Sequence, residues 1–214
     1  MNEPAPAGGR RLGGRAYYVC HRNPAFPATT IPELIAYAKA NPGEINMASG
    51  GNGTPHHLAG ELFKIMTGVN MVHVPYRGEA PALTDLMAGR VQVMFVLAGT
   101  SIEHVRAGRL RALAVTTTEP LAALADVPTV AQFVPGYEAS GWFGLGTPKA
   151  TLGTIVERLN REVNGALAEP AMAARLMALG VVPKPMTSKH FADLIEAETA
   201  KWAAVIQAAG VKAE

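Results

Sequence analysis

The chain has 214 residues, 49% of them hydrophobic, which is enough to bury a sizeable core in one large domain or two small ones. Nineteen basic residues against seventeen acidic ones leave a formal net charge of +2, with no basic run beyond the neighbourhood of Gly9-Arg10-Arg11, so nucleic acid is excluded as an expected partner. A single cysteine, Cys20, excludes an intrachain disulfide framework, and no segment carries the roughly 18 consecutive apolar residues of a membrane span.

Residues 1–16 are Gly, Pro, Ala and Arg without periodicity and are expected to be unstructured and foreign to the fold. Glycines and arginines stand where a signal peptide would carry its apolar stretch, so the chain as written has no export address. The folded part is expected from Tyr17, where Tyr17 to Cys20 reads as a short strand closed by Asn23-Pro24 and Phe26-Pro27. Thr30-Ile31-Pro32-Glu33 has capping-box spacing, and Ile31, Leu34, Ile35 and Ala38 at i, i+3, i+4, i+7 predict a helix that Asn41-Pro42-Gly43 ends.

A strand, glycine loop, helix pattern then repeats. Ile45–Ala48 precedes the loop Ser49–Thr54 and a helix to about Thr67, and Met71–Val74 precedes Pro75–Gly78 and a helix to about Ala88. Strands at Val91–Val96 and Leu110–Thr116 flank a short helix that Thr100 and Glu103 could cap. Alternating strands and helices predict an α/β fold with a largely parallel sheet. Beyond Thr117 the chain becomes loop-rich, with Pro120, Pro128, Pro135 and Pro148, and then shows three helical patterns with little strand between them. This places a boundary near Thr116–Thr118, dividing residues 17–117 from a helical part at 118–214.

Two loops carry the candidate chemistry. Ser49-Gly50-Gly51-Asn52-Gly53-Thr54 joins a strand to a helix N-terminus, where unpaired N–H donors and the helix dipole suit a carboxylate or phosphate. A tight turn that needs glycine for its dihedrals alone explains the same pattern. The loop has neither the Gly-Lys-Ser/Thr of a nucleotide phosphate loop nor a G-x-G-x-x-G fingerprint. Tyr76-Arg77-Gly78 ends the next strand and offers donors and an aromatic face at the same sheet edge, where open α/β sheets bind ligands. His56 and His57 point about 100° apart on a helix, so with His73 they argue poorly for a metal, and no metal or cofactor is expected. No serine sits in a nucleophile elbow, and Trp142 and Trp202 read as core.

With these two loops, the chain resembles the tripartite tricarboxylate transporter substrate-binding receptors, the Bug family of periplasmic solute-binding proteins. The matching blocks include PELIAYAKANPGEINMASGGNGTPHHLAGELFK, VHVPYRGEAPALTDLMAGRVQVMF and DVPTVAQFVPGYEASGWFGLGTPKAT. The resemblance implies a type II periplasmic-binding-protein fold: two lobes joined by a hinge near Val19–Asn23 and Val115–Thr117. It makes 17–117 the second, ligand-binding lobe and 118–214 the helical part of an incomplete first lobe. It implies a non-catalytic receptor for a small carboxylate (a di- or tricarboxylate, an acidic amino acid or an aromatic acid) that delivers its cargo to a membrane permease. Ser49, Gly51, Asn52, Gly53, Thr54, His57, Tyr76, Arg77 and Gly78 would line the site. Two departures are expected: a long preceding segment with the export signal and half of the first lobe is missing, and Val96 stands where a polar ligand contact is common. A truncated chain should bind carboxylates weakly or not at all and should be prone to self-association through exposed apolar helix faces. The alternatives are a remnant without transport function and a small anion-handling enzyme using His57 and Arg77.

Overall fold

The computed structural model describes residues 11–178 and 181–212. In chain order the elements are β1 (Arg11–Arg22), α1 (Ile31–Ala40), β2 (Asn46–Ser49), α2 (Pro55–Thr67), β3 (Val72–Pro75), α3 (Glu79–Met87), β4 (Val93–Leu97), α4 (Ala98–Arg106), β5 (Arg111–Val115), β6 (Ser140–Gly146), α5 (Gly153–Ala168), α6 (Pro170–Ala178), β7 (Val181–Pro183) and α7 (Ser188–Ala209). The described residues form two compact units, one of residues 17–141 and 204–212 and the other of residues 11–16, 142–178 and 181–203.

In the first unit the strand order is β3-β2-β4-β1-β5. β2 runs parallel to β3 and β4, while β1 lies antiparallel between β4 and β5. The expected largely parallel sheet is therefore present, with one reversed strand in it. Helices cover both faces, so β4 is buried along its length instead of alternating. Met94 and Val96 join Ala82, Leu83 and Leu86 of α3. Facing the other way, Phe95 meets Phe63 of α2 at 5.8 Å between ring centroids. Val96, which the resemblance put at a ligand contact, is fully buried in the α3 cluster.

The α1 start follows the capping logic: Thr30 Oγ1 accepts from Glu33 N, while the Glu33 carboxylate accepts from Thr29 N at 2.6 Å. Those bonds from Thr29 hold the Glu33 carboxyl below its ordinary range. Thr100 does not cap α4 as expected, because the helix springs directly from β4 with Leu97 at its N-cap, and Thr100 Oγ1 donates to Leu97 O and to Glu79 instead. An unforeseen device closes the turn after β1: the buried Arg22 guanidinium donates to the carbonyls of Asn23, Pro24 and Phe26. Asn23 Nδ2 in turn donates to Leu86 O and Met87 O and so ties the turn to the end of α3.

Three sequence expectations are corrected. Residues 11–16, expected to be unstructured, extend β1 and pair Gly14–Ala16 with β7; residues 1–10 lie outside the described residues. The boundary falls at Gly141–Trp142 and not near Thr116–Thr118. Residues 118–141 stay with the sheet because backbone bonds run from Val115 N to Pro128 O and from Ala139 N to Thr116 O, and Tyr137 is fully buried beside Phe63. The chain passes between units at 16/17, 141/142 and 203/204, so Val115–Thr117 lies inside one unit and is not a crossing point.

In the second unit, Trp142 packs edge-on against Phe191 at 5.4 Å, and Trp202 Nε1 donates to Glu198. Val156 is the buried residue of α5, whereas Phe143, Leu145, Leu152, Ile155, Leu159, Met172 and Met177 are exposed.

Candidate functional site

The two glycine loops meet. Tyr76 N donates to Ser49 O at 2.9 Å and Gly78 N donates to Gly50 O at 3.1 Å, so the ends of β2 and β3 continue as a short backbone ladder past the last strand residues. Gly50 sits in tight quarters, since a Cβ there would come within 3.3 Å of His56 Nδ1 and 3.4 Å of the backbone at Gly78 and Glu79. Gly78 has φ 114° and ψ 171°, a region open to glycine and strained for any residue with a Cβ. Gly78→Ala is therefore expected to lower stability by about 1–3 kcal/mol, read as a reduced urea midpoint at unchanged slope.

Register explains what lies beneath the loop. Met47, Ser49 and His73 fall on the α2 face of β2 and β3, because strand side chains alternate and Met47 lies opposite His73. Ser49 is fully buried, and its Oγ lies 2.6 Å from His73 Nε2, 3.1 Å from Gly51 N and 3.0 Å from Gly51 O. All three contacts are satisfied when the hydroxyl donates to Gly51 O and accepts from Gly51 N–H and the His73 Nε2–H. The hydroxyl is then saturated and inaccessible, which fits a structural support and not a nucleophile. Burial, reinforced by His57, pushes the His73 pKa down to about 4.

His57 stacks flat on His73, with ring centroids 3.6 Å apart and planes 6° apart. Its Nδ1 accepts from Gly53 N at 3.1 Å, and its Nε2 faces Glu61 Oε1 at 3.4 Å. Glu61 also pairs with Lys64 at 2.8 Å. Burial raises the Glu61 pKa, but the hydrogen bonds from His57 and Lys64 outweigh it and hold the carboxyl below its ordinary value. Asn52, His57, Glu61, Lys64 and His73 line a cavity of about 520 Å³ together with residues 209–212.

Thr54 occupies the N-cap of α2, but its Oγ1 donates to Gly51 O at 2.7 Å and caps nothing. The first N–H groups of α2 lack intrahelical acceptors, and Pro55 removes one of them, leaving a donor-rich end. Asn52 and Gly53 are exposed there. Arg77 is exposed on the neighbouring loop and pairs with no carboxylate among the described residues. Tyr76, by contrast, donates its hydroxyl to Asp85 at 2.8 Å, and Asp85 is also paired with Arg90. Burial and the neighbouring Asp85 raise the Tyr76 pKa. Sequence reasoning missed His56, whose Nε2 lies 2.8 Å from Glu79 Oε2 and joins the two loops by side chains. The available signal was the position of Glu79 directly after Gly78.

The described residues contain no group of three or more His, Cys, Asp or Glu side chains placed to hold a metal. No helix among them is long and apolar enough to cross a membrane.

Glycine loops lead into α2 and α3 at one sheet edge, and solved structures place the chain in the periplasmic-binding-protein class of folds. A Rhodopseudomonas palustris protein, Rpa4515 with adipate, superposes with a TM-score of 0.87 at 35% identity, over 97% of this chain and 71% of that one. The periplasmic binding protein BugD superposes at 0.82 with 28% identity, over 97% and 70%. Residues 15–211 match the tripartite tricarboxylate transporter family receptor, and the chain belongs to that family. Among curated relatives, the UPF0065 protein in the tcbD-tcbE intergenic region of Pseudomonas sp. strain P51 is 40% identical over 82% of this chain, and Protein BugT of Bordetella pertussis is 36% identical over 89%. The chain spans 53% and 59% of the lengths of those two proteins.

Proposed function

We propose that the chain is the carboxylate-binding portion of a periplasmic solute receptor, non-catalytic, which hands a small dicarboxylate to the membrane permease of a tripartite tricarboxylate transporter. The observation that carries this reading is the joined pair of loops, with exposed Asn52 and Gly53 at a helix N-terminus and Arg77 and Gly78 beside them. The pair offers backbone donors and one guanidinium to an anion. Similar proteins were solved with adipate and, at 27% identity, with malate. Within this reading Asn52, Gly53, Thr54, Arg77 and Gly78 meet the ligand, Gly51 shapes the loop, and Ser49, His57 and Tyr76 hold the loops in place. Calorimetric titration against adipate, malate, an acidic amino acid and benzoate tests it. Binding of at least one should weaken about 10- to 100-fold in Arg77→Ala, the value of a charge-assisted hydrogen bond. Equal affinity in both proteins, or no binding by any of the four, would overturn the reading.

The second unit is expected to self-associate through α5, α6 and β6, whose exposed apolar side chains exceed a monomer's usual scatter of single residues. Light scattering should give a mass above 22.4 kDa that falls in Leu152→Glu/Ile155→Glu. A clean monomer that binds no apolar dye would contradict this.

A further inference from the structure

The bond from Gly53 N to His57 Nδ1 has a consequence for capture of the ligand by the loop. A histidine nitrogen that accepts an N–H must be unprotonated, and the second nitrogen of a neutral ring then carries the proton, here the one facing Glu61. Protonating Nδ1 sets two N–H groups against each other at 3.1 Å, and turning the ring away would give up its flat stack on His73. His57 is 5% exposed and stacked on one face by His73, so the backbone at Gly53 is the part with room to move: Gly53 is exposed at φ 67°, and a Cβ there would meet nothing within 4 Å.

We propose that His57 is a positioning residue of the anion loop: as a neutral acceptor it holds the Gly53 N–H, and its protonation releases the loop and lowers affinity for a carboxylate. This rests on the loop pair being the carboxylate site. The groups facing His57 are His73 on β3, Glu61 and Lys64 on α2, and Lys212 in the C-terminal segment lining the same cavity. Glu61 favours the imidazolium, and the two lysines oppose it. His73 stays neutral above about pH 4, so it adds no charge across the range in which histidines ordinarily titrate. The proton gained lands on Nδ1 beside Gly53, because Nε2 already carries the one facing Glu61, so protonation breaks the contact that holds the loop and the loss of loop geometry lowers affinity for the anion.

The test uses the full chain labelled with ¹⁵N, titrated from about pH 8 to pH 5 without ligand and with adipate. The Gly53 amide signal should follow the His57 ring titration and exchange faster with solvent in acid. His57→Asn, whose amide oxygen takes the place of Nδ1 and does not titrate, should abolish that dependence. With adipate, wild type and His57→Asn should agree within about threefold at pH 8 and diverge roughly tenfold in favour of the variant at pH 5, adipate's own protonation cancelling in the ratio. If His57→Asn does not fold, Glu61→Gln serves instead and should move the midpoint of the Gly53 titration to lower pH. A Gly53 amide indifferent to His57, a ratio constant with pH, or tighter wild-type binding in acid would overturn the proposal. Absence of adipate binding at every pH counts against the carboxylate reading, while the ligand-free amide titration still decides the role of His57.

Discussion

Tyr137→Ala is expected to destabilise the chain by about 3–5 kcal/mol, the range for deleting a buried aromatic ring. Tyr137 is fully buried, stands edge-on to Phe63 at 6.1 Å and 81°, and donates its hydroxyl to Ala59 O at 2.9 Å. Through Phe63 the ring reaches Phe95 at the centre of β4, so its removal opens a void against the α2 face of the sheet. Tyr137→Phe keeps the packing and loses one buried hydrogen bond, so it should cost only about 1 kcal/mol. Urea unfolding followed by far-ultraviolet dichroism measures both variants, and tryptophan fluorescence reports the other unit, which holds Trp142 and Trp202, for comparison. The result also tests the unit boundary. If residues 118–141 belonged with the helical C-terminal part, Tyr137→Ala would leave the sheet unit's transition unmoved, and the proposed packing would be wrong.

The contrast between the two halves shows what one-dimensional pattern can carry. In residues 17–116, strands and helices were legible because each helix has one apolar stripe and each strand is a short β-prone run between glycine or asparagine turns. The Thr30–Glu33 spacing led directly to the observed cap. The loop pairing was legible too, since consecutive parallel strands put their following loops on one edge. Register was not legible: nothing in the sequence says that Met47 lies opposite His73, and the His57–His73 stack and the Ser49–His73 contact follow from that pairing alone. The stretch from Thr117 to Gly141 read as loop and so as a boundary. Its long-range anchors, Val115 N to Pro128 O and the Tyr137 hydroxyl to Ala59 O, join residues far apart in sequence and leave no local periodicity. Residues 11–16 failed for a related reason. Gly13 and Gly14 are poor strand formers, and their extended form goes with the pairing to β7, which lies far along the chain.

Histidine burial beneath the glycine loop should make the fold acid-sensitive well above the range in which carboxylates titrate. The folded-state pKa of His73 is about 4 against an ordinary 6.5, because burial disfavours its charged form. Between those values the unfolded chain takes up a proton that the folded chain refuses, so stability is fully present above about pH 6.5 and is lost as pH falls toward 4. At about 1.4 kcal/mol per pKa unit the whole window is worth up to about 3 kcal/mol, of which about 2 kcal/mol should be gone by pH 5. Glu61, held below its ordinary pKa, loses its contribution only as pH falls through the carboxylate range, so its effect lies mostly beneath this window. His73→Gln isolates the histidine. A glutamine amide can donate to Ser49 Oγ from nearly the position of Nε2, keeping the loop's support while removing the titrating group. Unfolding free energies measured at about pH 7.5 and pH 5 should differ by roughly 2 kcal/mol more in wild type than in His73→Gln. Equal acid slopes would mean that the imidazole accepts its proton in place, with the Ser49 contact and the His57 stack rearranging at little cost. That outcome would also weaken the case that the layer under the loop is rigid enough to pass protonation of His57 on to Gly53.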